Sequence, residues 1–180
     1  MLPRFDIAAV PTDPKVVKYL FQAAAQFKSI ADGYCLAPDL SFPHISLCQF
    51  RAESDAVAVM LASKFSLGGI WLKNTGLYIN KGTAEHEGKF WIGYGVARAP
   101  QLMDLQAEIA DDLQNRLPEV YTKSRDGYFP HMPLARTSAP PSKLAAGFFS
   151  DTLIGNIEYA LCLGHADENG QLVSLVDPNA

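Results

Sequence analysis

Almost the same six residues occur twice in this chain, once in each half. Phe-Pro-His-Ile-Ser-Leu at 42–47 recurs as Phe-Pro-His-Met-Pro-Leu at 129–134, so four of the six positions are identical. The second histidine follows the first by 131 − 44 = 87 residues, about half of the 180-residue chain. A histidine-bearing strand in each half predicts two lobes that each bring an imidazole to a shared cleft. Two imidazoles that face one substrate can supply both an acid and a base near neutral pH.

The composition is that of an ordinary globular protein, with 48% hydrophobic and 19% charged residues. A length of 180 residues predicts a single domain over 1–180, whose two halves meet near 85–100. The net charge is −4 and no run of lysine or arginine occurs, whereas proteins that bind long nucleic acids carry a basic stripe. We therefore expect a small phosphorylated ligand or an oligonucleotide end rather than a long nucleic acid.

The cysteines and the N-terminal segment both favour a cytoplasmic protein. Cys35, Cys48 and Cys162 are odd in number, widely spaced and free of any CxxC pattern. They are typical of reduced thiols rather than of a disulfide framework or a zinc site. Residues 1–6 have no apolar signal core, and no apolar run approaches the ~18 residues that span a membrane. We expect a cytoplasmic monomer with no membrane partner.

Hydrophobic periodicity predicts an approximate β-α-β-α-β order in each half of the chain. The clearest helix has Asp13 as its N-cap and Pro14 at its first position, carries apolar residues at helical spacing to Ile30 and stops at Gly33. Other predicted helices cover 54–65, the segment from 100 to about 118, and 142–149. Predicted strands cover 5–10, 44–50, 70–73, 76–80, 90–97, 131–136, and a hairpin of 157–163 with 172–176 that turns at 169–170.

The proline before each histidine favours an extended backbone, so each motif is predicted to begin a strand. Alternate side chains of a strand share one face. His44 and Ser46 therefore point to the same side, and the imidazole and the hydroxyl are about 7 Å apart along the strand. In the second copy the same face carries His131 and Pro133. Because proline has no hydroxyl, the predicted site is asymmetric.

Two H-x-[S/T]-hydrophobic motifs, one in each half of a chain of this length, resemble those of the two-histidine (2H) phosphoesterase superfamily. That superfamily includes bacterial 2′-5′ RNA ligases and cyclic nucleotide phosphodiesterases. The first motif, His44 to Leu47, matches in full, and the second, His131 to Leu134, lacks the hydroxyl. The resemblance implies an α+β class and a bilobal, pseudo-two-fold fold. Two antiparallel sheets would line a central cleft, with the helices outside.

The resemblance also implies an enzyme and its chemistry. It implies metal-independent hydrolysis of 2′,3′-cyclic phosphates or 2′-5′ linkages of nucleotides or RNA ends, with no cofactor. His44 and His131 would be the catalytic residues, one as general base and the other as general acid, and Ser46 would bind the phosphate. The alternative is a non-catalytic module that binds nucleotides or RNA ends and has a degenerate second motif.

Pro133 predicts the loss of one phosphate contact from the second half of the site. Removing one donor from a site that stabilises developing charge costs on the order of 10²–10³ in rate. A nearby polar side chain is a possible substitute, and the candidates follow or precede the second motif. They are Lys123, Tyr128, Arg136, Thr137 and Ser138.

Other residues have weaker functional interpretations. Tyr128 and Phe129 are the best candidates for stacking on a base, as aromatic side chains do in single-strand binders. His86 and His165 lie in polar loops, where we expect solvated side chains, and no zinc-ligand spacing such as HExxH occurs. Arg51 and Arg136 lie at odd offsets from the motif histidines. In regular strands both would face away from the cleft, and a β-bulge would reverse this.

Overall fold

The computed structural model describes residues 1–65, 68–82, 86–122, 125–139 and 153–177. Within these ranges the chain forms three α-helices, eight strands and a short 3₁₀ helix over Arg125–Gly127. The helices are α1 (Pro14–Ala25), α2 (Asp55–Ala62) and α3 (Pro100–Gln114). The strands are β1 (Arg4–Pro11), β2 (Tyr34–Cys35), β3 (Ile45–Arg51), β4 (Gly69–Lys81), β5 (Phe90–Val96), β6 (His131–Thr137), β7 (Ile154–Ala166) and β8 (Leu172–Leu175).

Most predicted elements are confirmed. Asp13 caps α1 by accepting a hydrogen bond from the backbone N–H of Lys15, and Ser54 caps α2 in the same way through Val57. Helix α1 ends at Ala25, earlier than predicted, because the chain continues through turns with i to i+3 hydrogen bonds, such as that from Ile30 to Phe27.

The elements after α2 agree with the prediction except at β4. The two strand pieces predicted over 70–80 are one strand, β4, with a register shift between Asn74 and Gly76 where Gly76 has a φ of 110°. The β7–β8 hairpin is confirmed. The predicted helix over 142–149 lies outside the described residues. Among the described helices, none is long and apolar enough to cross a membrane.

All eight strands belong to one antiparallel sheet rather than to two separate sheets. The order across the sheet is β2-β6-β5-β4-β7-β1-β3, and β8 pairs with β7. Helices together with an antiparallel sheet confirm the α+β class. The bilobal arrangement of two sheets is not confirmed, because the long strands β4 and β7 pair with each other and join the two ends of the sheet.

The sheet nevertheless has an approximate two-fold arrangement about its central β4–β7 pair. Both central strands are 13 residues long. On one side lies β1 followed by β3, and on the other lies β5 followed by β6. In each case a helix, α1 or α3, connects two antiparallel neighbours. The two motif strands, β3 and β6, are therefore equivalent positions in the sheet, and they contact each other.

The first motif strand contains a β-bulge at Leu47. Along the β1–β3 pair, Ile7 is opposite Cys48 and Ala8 is opposite Ser46, so the register skips Leu47. A bulge of this kind places two residues of one strand against one residue of its partner. It therefore shifts the alternation of side chains by one position for the rest of β3.

The second motif strand contains the equivalent bulge at Leu134. Along the β5–β6 pair, Ile92 is opposite Ala135 and Gly93 is opposite Pro133. Leu134 is skipped just as Leu47 is, and both leucines end their motifs. The two halves of the fold thus share an irregularity as well as a topology.

The bulges turn the residues that follow each motif toward the histidine face. Gln49 and Arg51 lie on the same face of β3 as His44 and Ser46, and Arg136 lies on the same face of β6 as His131. Arg51 and Arg136 are only 6% and 7% exposed. Both arginines therefore lie on the histidine face, as expected for a strand with a bulge, and not on the opposite face as in regular strands.

Candidate active site

A cavity of about 600 Å³ lies between the two motif strands. His44 and Ser46 contribute to its wall from the first motif, and His131 and Pro133 contribute from the second. The cavity is of the size that small-molecule ligands occupy in proteins. The structure thus brings together the motif residues that the sequence placed 87 positions apart.

Both imidazoles are held in the same way. His44 Nδ1 lies 2.8 Å from the carbonyl oxygen of Phe42, and His131 Nδ1 lies 2.7 Å from the carbonyl oxygen of Phe129. A carbonyl only accepts, so Nδ1 carries the proton and donates in each ring. The Phe-Pro entry of each motif therefore supplies the anchor of its histidine, and this anchor uses Nδ1 rather than Nε2.

Burial keeps both imidazoles neutral in the free protein. Burial lowers the pKa of His44 to about 4, against the opposing effect of the Phe42 and Gly170 carbonyls, and the charge of His131 lowers it further. Burial also lowers the pKa of His131, while the Phe129 carbonyl acts in the opposite direction. The influence of one ring on the other follows from their positions on a common cavity. A neutral imidazole is the form that accepts a proton.

Ser46 belongs to a cluster of hydrogen bonds that sequence reasoning missed. Its hydroxyl donates to Oδ2 of Asp6 over 2.5 Å, and Nε2 of Gln49 lies 3.0 Å from its oxygen. Gln49 reaches the cluster because of the bulge at Leu47, and Asp6 lies opposite Gln49 on β1. Oδ2 of Asp6 also lies 3.8 Å from Nε2 of His44. An Asp in a predicted buried strand was the signal that could have revealed this cluster, because isolated buried carboxylates are rare.

Tyr128 and Phe129 occupy different environments. Tyr128 is 5% exposed and its hydroxyl donates to the backbone carbonyl of Ser46 over 2.9 Å. Phe129 is 49% exposed, and its ring lies beside those of Tyr78 and His131. Phe129 therefore has a free face for stacking, whereas Tyr128 holds the backbone of the first motif.

Behind the wall of the second half of the cavity lies Arg136, where the first half has the Asp6 carboxyl group. Its guanidinium lies 2.9 Å from Oδ1 of Asn169, 3.0 Å from Nδ1 of His86 and 5.6 Å from the centre of the Trp91 ring. Its Nε donates to the carbonyl of Asp32. The expectation that His86 is solvated is wrong, since it is half-buried and lines the cavity.

The remaining candidate residues do not reach the cavity wall. Thr137 donates to the carbonyl of Ile30 over 2.7 Å, and Ser138 donates to Asp32 over 2.5 Å. Lys123 lies outside the described residues. His165 is half-buried, with Nε2 3.2 Å from Oδ2 of Asp55, so it is not the solvated side chain that the sequence suggests.

No group of three or more potential metal-ligating side chains occurs among the described residues. All three cysteines are free thiols. Burial raises the pKa of Cys48 to about 12 and that of Cys162 to about 12. These thiols are protonated at neutral pH, and a protonated thiol is a poor nucleophile.

No family model and no curated protein sequence matches this chain. Among solved structures, one described as a phosphoesterase matches with 14% sequence identity and a TM-score of 0.48, over 93% of this chain and 90% of that chain. Another, E. coli LigT complexed with 3′-AMP, matches with 13% identity and a TM-score of 0.49, again over 93% of this chain and 90% of that chain.

Proposed function

We propose that this protein is a metal-independent phosphodiesterase that acts on 2′,3′-cyclic phosphates or 2′-5′ phosphodiester linkages of nucleotides or RNA ends. The observation that supports this most strongly is the matched anchoring of His44 and His131 on the wall of one cavity. A pair of imidazoles that are both anchored through Nδ1 keeps Nε2 as the second titratable nitrogen of each ring, and such a pair is suited to moving one proton onto a substrate and another away from it.

In the proposed reaction on a 2′,3′-cyclic phosphate, one imidazole takes a proton from water as the water oxygen attacks phosphorus. The bond from phosphorus to one ribose oxygen breaks, and the other histidine protonates that oxygen. The product is a phosphomonoester with a free ribose hydroxyl. An anionic phosphate in the cavity raises the pKa of a nearby imidazole, and this supplies the protonated form that the general acid requires.

The other cavity residues have proposed roles in binding. Ser46 donates a hydrogen bond to a phosphate oxygen, and Phe129 stacks on the base. The second half has Pro133 where a second hydroxyl would stand, with Arg136 in the layer behind it. The guanidinium of Arg136 lies behind His86 and Asn169, and both of these residues line the cavity. The positive charge of Arg136 favours an anionic substrate at this end of the cavity.

The test is hydrolysis of 2′,3′-cyclic nucleotides and 2′-5′ dinucleotides, with 3′-5′ cyclic nucleotides as a comparison. His44→Ala and His131→Ala should each lower kcat by at least about a hundredfold, because each proton-transfer group contributes typically 10²–10⁴-fold. A His165→Ala variant is the matched control, since His165 does not line the cavity. EDTA should leave the activity unchanged.

Two outcomes would contradict the proposal. The first is activity that survives the loss of both motif histidines or that disappears with EDTA. The second is tight binding of a cyclic nucleotide with no turnover, which would identify a non-catalytic nucleotide-binding module instead.

A further inference from the structure

We infer that Asp6 is a positioning residue for the phosphate site, and that Ser46 donates to a phosphate oxygen only when Asp6 carries a proton. This rests on the proposed function only in assigning Ser46 to the phosphate. Asp6 is fully buried behind the cavity wall and belongs to neither histidine motif. It therefore acts on a bound ligand through Ser46 rather than by direct contact.

The hydrogen-bond directions in the cluster follow from its one-way donors. Arg4 Nη2 donates to Oε1 of Gln49 over 2.6 Å, and a guanidinium cannot accept, so Gln49 presents its NH₂ group to the other members. That NH₂ group donates to the carbonyl of Gly170 and toward Ser46 and Asp6. Ser46 cannot donate to an NH₂ group. Its single proton must go to Asp6 or to a ligand in the cavity.

The charge of Asp6 decides between these two acceptors. A carboxylate accepts the Ser46 proton, and the 2.5 Å separation is typical of a charge-assisted O–H···O⁻ bond. When Oδ2 of Asp6 carries a proton, it donates to the Ser46 oxygen, and the Ser46 proton is released toward the cavity. Solvent supplies and removes the Asp6 proton, so no further reactant is needed.

The surroundings of Asp6 favour its neutral form below about pH 7. Oδ1 of Asp6 has no hydrogen-bond partner in the described part of the chain, and a buried carboxylate with an unpaired oxygen is costly. Burial raises the pKa of Asp6 to about 7, against the opposing effects of Ser46, Gln49 and Arg4. The titratable and charged groups that face it are Arg4 from β1, His44 and Cys48 from the first motif strand, Cys162 from β7, and Tyr128 from the segment before β6.

The experiment is the pH profile of kcat/KM for 2′,3′-cyclic AMP in wild type, Asp6→Asn and Ser46→Ala. Above about pH 7 the wild type should lose about tenfold per pH unit relative to Asp6→Asn, since one proton is lost. An asparagine amide does not titrate in either of its orientations, so the pH profile of Asp6→Asn should have no such step. Ser46→Ala should be slower than wild type below about pH 7 and should also lack the step, and wild type should fall toward the rate of Ser46→Ala at higher pH. A pH step that arose from the Asp6 charge acting on His44, whose Nε2 lies 3.8 Å from Asp6, would persist in Ser46→Ala, whereas a step that acts through Ser46 would not.

A readout without substrate separates this inference from the proposed function. Difference infrared spectroscopy of wild type against Asp6→Asn follows the protonated carboxyl band of Asp6, which should titrate near pH 7 and shift in Ser46→Ala. A band that titrates and shifts in this way supports the inference even if no substrate is turned over. The inference is overturned if Asp6 is already ionised at about pH 5, or if wild type and Asp6→Asn have parallel pH profiles. It is also overturned if Ser46→Ala keeps the wild-type step.

Discussion

The buried carboxyl group of Asp6 links folding stability to pH. Its pKa is raised to about 7 in the folded protein, above its ordinary value of 3.8. A raised folded pKa means that the stabilising contribution is fully present below pH 3.8 and is lost as the pH rises through about 7. Asp6 thus makes the folded state less stable as the solution becomes neutral.

We expect the free energy of unfolding of wild type to fall relative to Asp6→Asn by about 3 kcal/mol between about pH 5 and about pH 8, since each pKa unit corresponds to about 1.4 kcal/mol. Urea unfolding of both proteins across this range measures the difference. Asp39→Asn, at an exposed position, is the matched control and should follow wild type. A constant difference between wild type and Asp6→Asn would contradict the linkage.

Pro133 is the one motif position at which the two halves differ in chemistry. We expect Pro133→Ser to raise kcat/KM for a 2′,3′-cyclic nucleotide by about tenfold or more, because a new hydroxyl on the cavity wall adds a donor to the phosphate. The same substitution in a His131→Ala background should give no gain. An unchanged or lower kcat/KM in a variant that still folds would show that the second half does not contact the phosphate.

The sequence predicted the residues of the two motifs but not the residues that contact them in space. Proline before histidine and the alternation of a strand were sufficient to place His44, Ser46 and His131 on one face. Asp6 was not predicted as part of the site because its contact with Ser46 depends on which strand pairs with β3. That pairing is a long-range property of the sheet.

The bulges at Leu47 and Leu134 determine what stands behind each histidine. In the first half, Gln49 and its partner Asp6 occupy the positions that Arg136 and its partner Trp91 occupy in the second half. The same β-bulge therefore places the carboxyl group of Asp6 beside Gln49 in the first half and the guanidinium of Arg136 over the Trp91 ring in the second half. The asymmetry of the site extends well beyond Pro133.

We expect Arg136→Met to destabilise the protein by about 2–4 kcal/mol, because it removes hydrogen bonds from a buried charged group to Asp32 and Asn169. Arg116→Met is the matched control. Arg116 is partly exposed and bonded to Asp112 one turn earlier in the chain, so its loss should cost no more than about 0.5 kcal/mol. Denaturant unfolding measures both, and equal costs would show that Arg136 is not held as described.

A bulge is hard to predict from one strand alone. Leu47 has no proline or glycine beside it, whereas Leu134 follows Pro133, and a proline inside a strand that pairs on both sides is itself a sign of a bulge. The register depends on how β1 and β5 meet their partners, so the sequence alone did not decide between a regular strand and a bulge, and therefore did not decide the face of Arg51 and Arg136. The Gly76 irregularity in β4 was easier to detect, because that glycine interrupts the apolar pattern.

The two halves of the sheet do not correspond to the two halves of the sequence. β7, from the second half of the chain, pairs with β1 from the first, and β4 from the first half pairs with β5 from the second. Each side of the fold therefore contains a long strand contributed by the other half. The order of elements along the sequence was predictable, but this exchange depends on pairings between distant residues.

Fragments 1–89 and 90–180 should therefore fail to fold when each is expressed alone. In the first fragment β7 is missing from between β1 and β4, and in the second β4 is missing from between β7 and β5. Circular dichroism with thermal unfolding of each fragment and of the full chain is the measurement. Cooperative unfolding of either isolated fragment would contradict the expectation, and recovery on mixing the two would support the exchange of strands.

The pairing of β1 with β7 has a consequence for synthesis on the ribosome. Ala8 and Cys162 lie opposite each other in this pair although they are 154 residues apart in the chain. At about 5–20 residues per second, β1 emerges many seconds before the strand that covers its edge. During that interval five consecutive residues that are buried in the finished protein, Phe5 to Ala9, lack their central partner. In this interval the unpaired edge of β1 is open to aggregation, and a chaperone that binds apolar extended segments would protect it.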